Sequence, residues 1–78
     1  MREKTRKVVF TFSTTTQAIK MEERCKNAGA AGRLIPVPRQ ISAGCGMAWA
    51  AEVQERESLT RLAGQEAVEV EDIYELLL

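Results

Sequence analysis

The stretch Gly32-Arg33-Leu34-Ile35-Pro36-Val37-Pro38-Arg39 decides the fold. Its aliphatic centre reads as a strand over Gly32 to Val37. Pro36 and Pro38 stand two residues apart, so the N–H groups they lack fall on one side of the ribbon. A strand without donors along one side pairs only along the other, which makes this an edge strand.

Upstream, Lys7-Val8-Val9-Phe10-Thr11-Phe12-Ser13 is β-branched and aromatic, with Val8, Phe10 and Phe12 on one face. This is the first strand, in a central position. Residues 1–6 read as a flexible basic tail. Ser13, Thr14, Thr15 and Thr16 then supply N-cap candidates for a helix running to about Ala28, with Gly29 as its stop. Ala18, Met21, Cys25 and Ala28 recur at three-and-four spacing. Cys25 falls on that buried stripe, where an unpaired cysteine serves as a small core residue.

Downstream, Cys45 to Ala51 alternates, with Cys45, Met47 and Trp49 on one face and Gly46, Ala48 and Ala50 on the other. A third strand fits this better than a helix propagated on alanine propensity. Val53 to Ala63 returns to helical spacing with Gly64 at its end, and Val68 to Leu77 closes the chain as a strand. The order βαββαβ predicts one α+β domain over residues 1–78, a ferredoxin-like sandwich. Its four-stranded antiparallel sheet carries both helices on one face. In that topology the third strand lies beside the first and the second lies on an edge, as the prolines require independently.

The 78 residues contain no histidine, which excludes histidine triads, imidazole acid-base catalysis and histidine-ligated zinc. Formal net charge is zero, yet nine of the 11 Lys/Arg precede residue 40 and eight of the 11 acids follow it. Attraction between the halves, within one fold or between subunits, accounts for this pattern. Nucleic-acid binding would need stacking aromatics on the sheet, and only Trp49 is available, on the helix side. Glu22-Glu23, Glu52, Glu55 and Glu57 read as solvated helix surface, with no spacing that suggests a metal site. Two cysteines without an apolar leader, and no apolar run near the roughly 20 residues of a membrane span, point to a soluble protein of a reducing cytoplasm.

Topology places Cys45 near Ser13, Thr14 and Thr15, where a helix N-terminus favours an anion. Arg39 on the preceding loop adds a full positive charge, and Ser42 offers a hydrogen bond. All of these favour a thiolate. Gly44 and Gly46 flank the cysteine without side chains and leave room for a partner sulfur. The same glycines also suit a turn of unusual dihedrals. The plain alternative makes Cys45 a small apolar residue that starts a strand.

Phe12-Ser13-Thr14-Thr15, Arg33-Leu34-Ile35-Pro36-Val37-Pro38-Arg39, Ile41-Ser42, Cys45-Gly46-Met47-Ala48 and the ending Asp72-Ile73-Tyr74-Glu75-Leu76 resemble the selenium/sulfur carrier-like family of small bacterial domains. Family members stand alone or are appended to sulfur-carrier domains. The resemblance implies a carrier or accessory protein rather than a stand-alone enzyme, with Cys45 as the functional thiol and Arg39 as the loop residue of the proline-arginine motif. It implies protein donors and acceptors of sulfur or selenium and no cofactor. Trp49 and the alanines around it depart from the larger aliphatics expected in the third strand.

The mechanism expected of such a thiol is acceptance of sulfur or selenium from a donor persulfide and release to an acceptor by exchange. A second class of function is a non-catalytic assembly or regulatory module. It would form a homodimer through the helix-free sheet face, lined by Val9, Thr11, Ala48 and Ala50.

Overall fold

A computed structural model describes residues 4–41 and 44–78. The elements are β1 (Arg6–Thr11), α1 (Thr15–Ala28), β2 (Arg33–Pro36), β3 (Met47–Glu52), α2 (Arg56–Gln65) and β4 (Asp72–Leu77), with a 3-10 turn over Val53–Glu55 leading into α2. The strands form one sheet in the order β2-β3-β1-β4, and every pair is antiparallel. This is the ferredoxin-like α+β arrangement.

The proline pair sits as its spacing requires. Val37 N–H donates inward to the Gly46 carbonyl at 3.0 Å. Alternation therefore turns Pro36 and Pro38 to the free edge of β2, where no donor is needed. Against the other side of the sheet, Ala18, Met21 and Cys25 of α1 and Leu59 and Ala63 of α2 close over Val8, Phe10, Phe12, Trp49 and Ala51. The Trp49 indole N–H donates to the Ala31 carbonyl at 3.2 Å, so the polar tip of a buried aromatic is satisfied.

One device ends both helices. Gly29, at φ 68°, donates to the Lys26 carbonyl while Ala30 N–H reaches back to Cys25. Ala67, at φ 57°, donates to Gly64 while Val68 N–H reaches back to Ala63. Each pairing is the Schellman closure, in which a left-handed residue lets two late amides cap orphan carbonyls.

Several boundaries differ from the sequence reading. α2 runs through Gly64 instead of stopping there, because the left-handed position belongs to Ala67. Val68 is then committed to closing the helix and is 7 % exposed in the helical layer. β4 consequently starts at Asp72, after Glu71 N–H has joined the Thr11 carbonyl at 2.7 Å. β3 starts at Met47, not Cys45, since Gly46 takes φ 77° and breaks the extended run. At the other end, Thr5 exchanges both backbone hydrogen bonds with Leu78, and Arg6 opens β1. The tail expected through residue 6 is thus held from Thr5 onward.

The helix-free face is not the open surface expected of Val9, Thr11, Ala48 and Ala50. Val9, Thr11 and Ala48 are fully buried and Ala50 is 8 % exposed. Val37 and Ile41 fold back across this face, and Ile35, Tyr74, Leu76 and Leu78 pack around the same cluster. Small residues in β3 make the fold-back possible: Ala48 leaves the depth that Val37 and Ile41 occupy.

Candidate functional site

Cys45 lies in the bend between the fold-back segment and β3, half-buried at the margin of the helix-side core. It shares that side with Met47 and Trp49. Its sulfur is held by the strand that follows it. The Met47 N–H donates to Sγ at 3.4 Å, and the thiol donates to the Met47 carbonyl at 3.2 Å. This short loop is the cysteine counterpart of the side-chain turns that serine and asparagine make with backbone two residues ahead.

The two contacts respond oppositely to ionisation. An N–H donor strengthens toward a thiolate, whereas a carbonyl facing the sulfur repels it once the proton has gone.

Gly44 and Gly46 have separate structural reasons. A Cβ on Gly44 would stand 2.7 Å from the Ser13 carbonyl oxygen, so this bend rests directly on the segment that leads into α1. Gly46 has open space around it and is required by its left-handed φ alone. The surface beside Cys45 consequently carries no side chain at either neighbouring position.

Of the other candidate residues, Ser13 backs the bend through its main chain. Thr14 is the N-cap of α1, its hydroxyl accepting from Gln17 N–H at 3.3 Å, which uses one of the free amides at that terminus. Thr15 opens the helix and is exposed. Ser42 lies outside the described residues. Arg39 is exposed on the fold-back turn and lines a groove against the helix-free face, together with Lys4, Arg33 and Ala50. Among the described residues, both hydrogen bonds of Cys45 are made to Met47. Alternation alone could not reveal the Met47 amide as the donor, because that contact needs the bend at Gly46.

The second cysteine is a contrast within the same molecule. Cys25 has no exposed surface, and burial pushes its thiol from 9.0 up to about 11. It is unreactive by access and by charge state alike.

The family described as "Putative Se/S carrier protein-like" matches residues 7–75, from the start of β1 almost to the end of β4. The chain belongs to this family. The match takes in α1, the fold-back turn and the bend that carries Cys45. Searches among curated proteins and among solved structures give no match. Among the described residues, no helix is long and apolar enough to cross a membrane.

Proposed function

We propose that this member of the Se/S carrier-like family bears its cargo on Cys45, as a persulfide or a selenosulfide. The observation that carries the reading is the contrast between the two thiols. Cys45 is at the surface between two bare glycines with an amide donor on its sulfur, and Cys25 is sealed in the core.

Loading is an exchange without net oxidation. The Cys45 thiolate attacks the terminal sulfur or selenium of a donor persulfide or selenosulfide. A bond forms from Sγ to that atom, the bond to the donor's inner sulfur breaks, and the donor departs as a thiolate. The proton first held by Cys45 goes to solvent. Discharge repeats the step in reverse with an acceptor thiolate, returning Cys45 as a thiolate. In this scheme the Met47 N–H holds the sulfur while charged, and the absence of side chains at Gly44 and Gly46 lets the donor sulfur approach in line. Ser13, Thr14 and Thr15 shape the α1 side of the approach.

The test is direct loading. Incubation with glutathione persulfide, followed by removal of small molecules and intact-mass measurement, is expected to add one sulfur to the wild type and to Cys25→Ala, and none to Cys45→Ser. Equal loading of Cys45→Ser would refute the assignment.

A further inference from the structure

The helix-free face holds a feature that the thiol chemistry does not use. Between the Pro38-Arg39-Gln40 turn and the end of the sheet where β3 finishes lies a groove of about 1120 Å³. Ala50 forms its floor, where a larger side chain would fill it, and Ile35, Val37 and Leu78 contribute apolar walls. The two small residues of β3 therefore do two things: Ala48 seats the fold-back, and Ala50 leaves the hollow beside it.

Charge around this hollow is one-sided. Among the described side chains, Lys4, Lys7, Arg33 and Arg39 line it against one acid, Glu52, and Lys7 already pairs with that acid at 2.8 Å. Lys4, Arg33 and Arg39 are exposed and make no ion pair among the described residues. Elsewhere, Arg6, Arg24, Lys26, Arg56 and Arg61 each have a carboxylate, and Lys20 donates to the Ala67 carbonyl instead. Among the described residues, three of the four cations without a carboxylate line this partly apolar hollow.

We propose that this groove is a docking site for an acidic, extended segment of a protein partner. Its apolar side chains would settle on Ala50, Ile35 and Val37 while its carboxylates meet Lys4, Arg33 and Arg39. Charge complementarity selects the sign of the partner. The apolar floor favours a segment carrying aliphatic side chains over a bare anion. Addition as a further strand is blocked at the free edge of β2, where Pro36 and Pro38 present no donors, so the segment lies on the face and does not extend the sheet.

The site is separate from Cys45 and stands whether or not that residue carries cargo. Its test uses a fluorescein-labelled peptide that alternates glutamate and leucine, read by anisotropy and by amide chemical-shift changes. The expected result is saturable binding, with shifts at Ala50, Ile35 and Leu78. Arg33→Glu/Arg39→Glu should weaken it about tenfold or more, and Cys45→Ser should leave it unchanged. Both arginines are exposed, and an unaltered amide spectrum elsewhere verifies that the charge-reversed protein is folded. Equal binding of a lysine-leucine peptide would overturn the proposal, as would retention of binding by the charge-reversed protein. So would shifts at the groove produced by inorganic phosphate or a single-stranded oligonucleotide but not by the peptide. A concentration-dependent dimer shifting these same residues would place a second copy there and overturn it too.

Discussion

At the scale of single residues, the two cysteines differ by environment rather than by chemistry, and their difference is measurable without knowledge of the cargo. Below pH 9 the Cys25 thiol stays protonated in folded and unfolded chains alike, so burial costs no ionisation energy. As pH rises from 9.0 toward about 11 the unfolded chain sheds this proton and the folded chain does not. Stability therefore falls across that window, by at most about 1.4 kcal/mol per pH unit from this group. Urea denaturation at closely spaced pH values should show a shallower decline in Cys25→Ala than in the wild type; identical slopes would contradict the burial of that thiol. The burial of Cys25 was legible in its three-and-four spacing with Ala18 and Met21. The immediate partner of Cys45 was not, because its contact with Met47 runs through a left-handed glycine that no periodicity records.

The elements followed their sequence signals wherever those signals were local. The threonine run capped α1 through Thr14, Gly29 closed it, and the prolines put β2 on an edge. The end of α2 escaped because its left-handed position is filled by alanine, while the nearby glycine, Gly64, lies inside the helix. An alanine at φ 57° bears a steric penalty of roughly 1 kcal/mol that glycine avoids. Ala67→Gly is accordingly expected to stabilise the protein by up to about 1 kcal/mol in chemical denaturation, against the usual direction of an alanine-to-glycine change. Destabilisation by that substitution would mean that the Schellman closure of α2 is misassigned. The fold-back of Val37 to Ile41 over the sheet was equally invisible, since it depends on depth left by Ala48 in a distant strand and not on any pattern within the loop.

For the whole molecule, the opposite charges of the two halves are explained inside one chain. Arg6–Glu75, Lys7–Glu52 and Arg24–Glu66 link the basic first half to the acidic second at 3.5, 2.8 and 3.3 Å. All are partly exposed, so their combined contribution is modest and screened by salt. Raising ionic strength with sodium chloride should lower stability by about 1 kcal/mol or less, independently of protein concentration; a loss that grows on dilution would instead place these attractions between subunits. With the helix-free face covered at its centre, the molecule presents two candidate functional margins: the bend at Cys45 on the helix side and the cationic groove on the other. The most direct measurement concerns the first. Protein purified from its producing cells without reductant and digested with trypsin yields a peptide spanning residues 40–56, which contains Cys45 and not Cys25. Mass spectrometry should find this peptide heavier by one sulfur or one selenium atom, with the addition removed by dithiothreitol, whereas an addition found on Cys25 alone would contradict the account.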